Sequence, residues 1–278
     1  MFTPGYQSTV EASAHAGGSV TRIGLKASNG WQIQIEDVKA AIQANTQYMV
    51  LNEPYNPAGT LMSKALQAKL VALAEAHDIR ILCDEVYRFM EHDPSDRLPA
   101  MCDTYFKGIS VGTMSKPWGA GGVAIGWLAF QDMSVRQKLV DVQYFNTACA
   151  SRASEIQAIM VLRASDAILA KNLSIIRRNL EVLESFVTKH SDLFDWARPR
   201  AGAIAALKFK GPLSSEELGV QLVAAGIGVK PAYCVSDRVE TDNDFFRVGF
   251  GEVVAKDALD ALGAFVEDHK GSWRRGMA

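Results

Sequence analysis

Three short apolar runs, spaced about thirty residues apart and each ending in polar side chains, constrain this chain more than any other feature. They lie at residues 47–52 (QYMVLN), 80–84 (RILCD) and 109–113 (ISVGT). Between the first two, Ser63 reads as an N-cap for a helix running to about His77, with Leu66, Leu70, Leu73 and Ala74 on one face. Residues 19–25 read as an earlier strand and residues 36–44 have helical spacing. Strands alternating with amphipathic helices at this interval predict an α/β fold, a mostly parallel sheet with helices on both faces.

The second half changes character. Residues 133–190 carry helical patterning without a proline, including one long helix expected over about 167–189. Short strands at 203–210, 227–230 and 245–250 then alternate with helices near 214–225 and 256–269. This predicts a smaller α+β domain on its own sheet. The boundary falls near residue 165, giving a large domain over 1–165 and a small C-terminal domain over 166–278. Residues 123–127 are expected to resume a strand after a glycine-rich turn.

Composition narrows the class of function. The 278 residues are 48% hydrophobic and 22% charged, with a formal net charge of −2. No basic stripe argues for nucleic acid, and no apolar run approaches the length needed to span a membrane. Cys83, Cys102, Cys149 and Cys234 lie far apart, a pattern of neither a zinc site nor a disulfide framework. A reducing cytoplasm is the expected compartment. The start, MFTPGY, lacks the basic and apolar regions of a signal peptide.

Ligands of parallel α/β sheets gather beyond the carboxyl ends of the strands. Three successive strand ends carry chemistry here. After residues 47–52 comes NEPYNPAGT, a proline-constrained turn presenting Asn56. The strand at 80–84 ends in CDEVY, with Asp84, Glu85 and Tyr87. The strand at 109–113 leads into TMSKPWGAGG, with Thr113, Ser115 and Lys116 ahead of Gly119, Gly121 and Gly122. Each residue also has an ordinary structural use: Asp84 as a cap after a strand, Tyr87 as a buried phenol, Lys116 as a loop lysine, and Arg247 as half of an ion pair.

In this order, these motifs resemble those of the fold-type I pyridoxal-phosphate enzymes of the class I/II aminotransferase family. The matching stretches are Pro54-Tyr-Asn-Pro-Ala-Gly59, Asp84-Glu-Val-Tyr87, Ser115-Lys116 with its trailing glycines and Gly126-Trp127, and Phe246-Arg-Val-Gly249. The resemblance covers nearly the whole chain. It implies pyridoxal 5'-phosphate held as a Schiff base on Lys116, and catalytic roles for Lys116, Asp84 and Tyr87. Asp84 pairs with the ring nitrogen, Asn56 and Tyr87 bond the ring's phenolic oxygen, and Thr113 and Ser115 donate to the phosphate. Arg247 grips the substrate α-carboxylate bidentately, and Tyr6, in Pro4-Gly-Tyr, stacks on the ring. Glu85 and Arg88 match side chains to which we give only packing or pairing roles. An amino-acid substrate and a homodimer follow from the same resemblance.

Two departures stand out. The family carries a phosphate-contacting arginine eight residues after the lysine, and here that residue is Ala124. The chain also begins where a family member is already under way, so an upstream segment with a helix terminus for the phosphate is expected to be missing. The consequences expected are weak cofactor binding and an exposed apolar face. TMSKPWGAGGVAIGW further resembles the capreomycidine-synthase-like branch, which eliminates and cyclises arginine-derived substrates. Elimination or cyclisation, and a truncated non-catalytic protein, thus stand beside transamination.

Overall fold

The computed structural model describes residues 1–236 and 244–276. In chain order the elements are β1 (Phe2–Thr3), α1 (Gln7–His15), β2 (Ile23–Gly24), α2 (Ile35–Ala41), β3 (Tyr48–Asn52), α3 (Lys64–Ala76), β4 (Arg80–Asp84) and α4 (Met101–Thr104). They continue with β5 (Gly108–Thr113), β6 (Gly126–Phe130), α5 (Arg136–Thr147), α6 (Arg152–Arg163) and α7 (Ser165–Lys189). The remainder comprises β7 (Phe194–Trp196), β8 (Ile204–Phe209), α8 (Ser215–Ala224), β9 (Lys230–Pro231), β10 (Phe246–Gly249) and α9 (Ala255–Gly276).

Two compact units result, and they do not follow chain order. One gathers Gln34–Pro54 and Leu61–Leu173. The other gathers Met1–Ile33, Tyr55–Thr60 and Ser174–Ala278, so the first residues and a six-residue excursion group with the C-terminal part. Helix α7 supplies residues to both.

The unit built on Gln34–Pro54 and Leu61–Leu173 holds a four-stranded sheet in the order β3-β4-β5-β6. The first three strands are parallel and β6 is antiparallel to β5. The parallel strands are short apolar runs because both their faces are covered: Val50, Leu51, Ile81, Cys83 and Ile109 are buried. Helix α3 starts where its cap dictates. Ser63 Oγ accepts from the Leu66 N–H, and Leu70, Val71 and Ala74 are buried.

The expected strand at 123–127 is corrected. Gly121–Val123 form a single 3₁₀ turn, Ala124 takes a left-handed backbone (φ 53°, ψ 39°), and pairing starts only at Gly126. A Cβ at Gly126 would meet the Gly112 carbonyl oxygen at 2.8 Å, which is why glycine opens β6. The run at 19–25 shrinks to the two residues of β2, because its parallel partner β1 offers only two.

The other unit carries the two-stranded β1–β2 sheet and an antiparallel sheet in the order β7-β8-β10-β9. Its core is aromatic: Phe194, Phe245, Phe246 and Phe250 are almost completely buried. Trp31 meets Phe245 edge-on with centroids 5.2 Å apart. Asn179 on α7 donates to the carbonyls of Phe250 and Glu252, fixing the chain just past β10. Helix α8 opens with a full capping box between Ser214 and Glu217. Among the described residues, no helix is long and apolar enough to cross a membrane.

Candidate active site

Register sets the first group of side chains. Asn52 pairs with Asp84 across β3 and β4, and Asp84 pairs with Val111 across β4 and β5. The three parallel strands therefore end together, and Asp84, Thr113, Ser115 and Lys116 leave the sheet at one edge. That edge is the carboxyl side, where open α/β sheets bind ligands.

Asp84 is half-buried, and its Oδ1 accepts from the Val86 N–H at 3.1 Å. The cap reading of this residue is thus part of the truth: the carboxylate shapes its own turn. Its pKa is raised, chiefly by burial and further by the charge of Glu85, against the opposing pull of the Val86 N–H and the positive charge of Lys116. Tyr87, in the next turn, is buried. The Lys116 ammonium sits over its ring, 6.0 Å from the centroid. Thr113 Oγ1 and Ser115 Oγ lie 3.0 Å apart, and Thr113 Oγ1 also reaches the Ile125 carbonyl at 3.3 Å.

The loop that carries Lys116 is rigid for identifiable reasons. Met114 N–H donates to Ile125 O, Ala120 N–H to Met114 O, and Gly119 N–H to Lys116 O. Trp118 is buried with Met114, Val123 and Ala158, and its Nε1 donates to Ser165 Oγ at 2.8 Å. Asn172 donates to the Pro117 carbonyl at 2.9 Å. Lys116 itself is exposed, projecting from an anchored loop.

The second group lies in the other unit. Asn56 is buried, and its Oδ1 accepts from Arg247 Nη1 at 3.0 Å, joining residues 191 positions apart. Arg247 is half-buried on β10. Gly59, three residues beyond Asn56, has φ 67°, and a Cβ there would meet Ala201 O at 2.6 Å and Pro199 Cβ at 2.7 Å. Only glycine permits this packing. The Tyr55 hydroxyl donates to the Pro4 carbonyl, and burial raises its pKa far above the usual phenol range. Tyr6 precedes α1 and is 54% exposed.

Glu85 and Arg88 behave as the packing and pairing residues expected. Glu85 Oε1 accepts from Met101 N–H and Ser110 Oγ, each at 2.7 Å, and Arg88 stands 3.5 Å away. Sequence reasoning missed Glu53, whose carboxylate accepts the Met62 N–H, and Asn172. A lone acid between Asn52 and Pro54 was a readable signal; nothing in the pattern of α7 marked Asn172. Among the described residues no cluster of histidine, cysteine, aspartate and glutamate could hold a metal ion.

A mostly parallel sheet whose adjacent strand ends offer a carboxylate, paired hydroxyls and an anchored lysine is the architecture of fold-type I pyridoxal-phosphate proteins. A PLP-dependent aminotransferase of known structure from Streptococcus suis superposes with a TM-score of 0.88 over 96% of this chain and 70% of that one, at 26% identity. The chain belongs to the aminotransferase class I and II family, whose sequence profile matches residues 1–261. Capreomycidine synthase of Streptomyces vinaceus is 26% identical over 257 residues, 90% of this chain and 63% of that protein. Arginine–pyruvate transaminase of Pseudomonas aeruginosa is 33% identical over 116 residues, 40% of this chain and 29% of that protein. The chain thus spans less than two thirds of the length of these curated relatives.

Proposed function

We propose that this chain acts with pyridoxal 5'-phosphate on an α-amino acid, most simply as an aminotransferase. The observation that carries the reading is the register of β3, β4 and β5, which brings Asp84, Thr113, Ser115 and Lys116 out at the carboxyl ends of adjacent parallel strands. The donor set fits this cofactor. Lys116 is the amine that would hold it, Asp84 a carboxylate for the ring nitrogen, and Tyr87 and Asn56 partners for the phenolic oxygen. Thr113 and Ser115 are hydroxyls for the phosphate, and Tyr6 is the aromatic assigned to the ring face.

When bound, this cofactor supplies an electron sink for negative charge developing at the substrate α-carbon. Asp84 would face the ring nitrogen, its carboxyl held above the ordinary range chiefly by burial, so that a protonated ring nitrogen would be the cation that stabilises its charge. Lys116 Nζ takes and returns the α-proton, a role suited to an exposed amine on a fixed loop. Arg247 orients the substrate through its α-carboxylate, which the guanidinium fork matches in geometry.

Elimination or cyclisation of an arginine-derived amino acid is the second reading. It is favoured by Ala124, and by the capreomycidine synthase relative, which aligns with 90% of this chain. A homodimer in a reducing cytoplasm completes the proposal. It is supported by four free cysteines and by exposed apolar side chains on β6, α5 and α6, among them Leu128, Tyr144, Phe145 and Met160.

The test is α-proton exchange in deuterated buffer, followed by NMR with pyridoxal 5'-phosphate and a panel of amino acids that includes arginine. Exchange accompanied by keto-acid formation supports transamination, and exchange with loss or ring closure of the side chain supports the second reading. Asp84→Asn should slow exchange. No exchange with any amino acid at saturating cofactor would leave a non-catalytic protein.

A further inference from the structure

Loops run over protein surfaces because a buried loop must satisfy its own backbone polar groups. Residues 53–62 break that rule: every one of them is buried. The segment leaves β3, carries Asn56, and returns to α3. Part of its backbone is satisfied internally, with Tyr55 N–H donating to Thr60 O at 3.0 Å and Gly59 N–H to Tyr55 O at 2.7 Å. At its two ends the closure is made by a side chain. The Glu53 carboxylate straddles the Met62 N–H, with Oε2 at 3.1 Å and Oε1 at 3.3 Å. The Glu53 N–H in turn donates to Asp84 O at 3.0 Å. Glu53 is the only carboxylate in the segment.

We infer that Glu53 is a positioning residue: its carboxylate clasps the two ends of the 53–62 loop and thereby sets Asn56 for its cofactor contact. The inference rests on the cofactor reading above and adds a residue to it. Both oxygens of one side chain lie within hydrogen-bond reach of the Met62 N–H, so a single residue closes the loop where a strand pair would otherwise be needed. Glu53 also lines a small cavity of mixed character with Gln67, Glu85, Arg88, Leu61 and Met101. Removing the side chain both opens the clasp and enlarges that cavity. Aspartate keeps the charge but withdraws it by one methylene. Glutamine keeps the length and one acceptor oxygen for Met62.

The experiment is a pH titration of the visible absorbance of the full chain at saturating pyridoxal 5'-phosphate, a property governed by the bonds to the ring. Asn56→Ala is the reference variant and should displace the midpoint. Glu53→Ala should displace it in the same direction by at least half as much, and the double variant no further than Asn56→Ala alone. Glu53→Gln should restore the native midpoint. Should Glu53→Ala not fold, Glu53→Asp carries the same expectation of a displaced midpoint. A native midpoint in Glu53→Ala or Glu53→Asp, beside a displaced one in Asn56→Ala, overturns the role of Glu53 and leaves the cofactor reading intact. Additive shifts in the double variant, or a Glu53→Gln midpoint displaced as far as that of alanine, also overturn it. No visible band in the unaltered protein, or no response to Asn56→Ala, overturns the cofactor reading and this inference together.

Discussion

Arg247 Nη1 donates to Asn56 Oδ1 at 3.0 Å. The guanidinium has no acceptor, so this contact fixes which way the amide faces: oxygen toward Arg247, nitrogen away as the donor end. One residue assigned to the substrate carboxylate and one assigned to the cofactor ring thus hold each other in place. Lysine at 247 keeps the charge but cannot serve Asn56 and a carboxylate with a planar fork. Arg247→Lys should weaken amino-acid binding by about tenfold or more, the equivalent of one charged hydrogen bond at about 1.5–3 kcal/mol. Spectroscopic titration with amino acid or a non-reactive carboxylate analogue measures this. Unchanged affinity removes Arg247 from the substrate site.

Trp118 is an anchor for the lysine loop. It packs against Phe89 with centroids 5.7 Å apart and against Trp127 at 6.1 Å, while its N–H is satisfied by Ser165. Trp118→Ala should cost about 3–5 kcal/mol of stability, the usual range for removing a buried large aromatic. Trp118→Phe should cost less, because most of the ring packing survives and only one neutral hydrogen bond is lost, at about 0.5–1.5 kcal/mol. Urea unfolding of the three proteins orders them. Equal loss in both variants would mean that the Ser165 bond, rather than packing, holds the loop.

Asp132 gives the unit that holds Lys116 an acid-sensitive joint. Its carboxylate caps the turn before α5 and is held down from its ordinary 3.8 to about 2, chiefly by the Ser134 hydroxyl and N–H and then by Arg80. Arg80 Nη2 stands 2.6 Å from Asp132 Oδ2, tying β4 to the end of β6. A depressed folded pKa stabilises above the unfolded value, and that stability drains away as pH falls through the folded one. The window is therefore from about pH 4 down to about pH 2. Asp132→Asn should lower stability at neutral pH and flatten the acid limb of the stability profile in that window. Parallel acid limbs for the two proteins would show that Asp132 stays protonated or unpaired.

Ala124 stands eight residues after Lys116, the offset at which the resemblance implies a phosphate-binding arginine. It is exposed, and its neighbour Ile125 offers its carbonyl to Thr113 Oγ1 at 3.3 Å. An arginine here starts from an exposed position in the chain, one residue before the carbonyl that Thr113 bonds. Neutral hydroxyl bonds contribute about 0.5–1.5 kcal/mol each, whereas a bidentate arginine–phosphate pair is among the stronger polar contacts. Ala124→Arg should tighten pyridoxal 5'-phosphate more than it tightens pyridoxal, which lacks the phosphate. Equal effects on both ligands would place the phosphate elsewhere.

Much of the α/β unit was legible because its strands obey local rules. The runs at 47–52, 80–84 and 109–113 are apolar, short and punctuated by polar ends, and β4 matches its expected bounds residue for residue. Ser63 was readable as a cap because a serine before an amphipathic run has one obvious use. What failed depended on partners distant in sequence. Residues 19–25 have strand composition, yet only Ile23 and Gly24 pair in strand register, with Phe2 and Thr3. The left-handed turn at Ala124 is invisible in a residue type that rarely adopts it. The strand β7 is three residues long and exists only because β8 lies beside it. The Asn56–Arg247 contact needs the folded chain, since no spacing rule joins residues 191 apart. The grouping of Met1–Ile33 with Ser174–Ala278 has the same origin.

The central claim is that Lys116, among all the lysines of this chain, bonds the cofactor. Saturating the protein with pyridoxal 5'-phosphate, reducing with borohydride and mapping the peptides by mass spectrometry tests it most directly. The account predicts a single pyridoxyl label on Lys116, abolished by Lys116→Ala and retained in Asp84→Asn. A label on another lysine, or none at saturating cofactor, would contradict it.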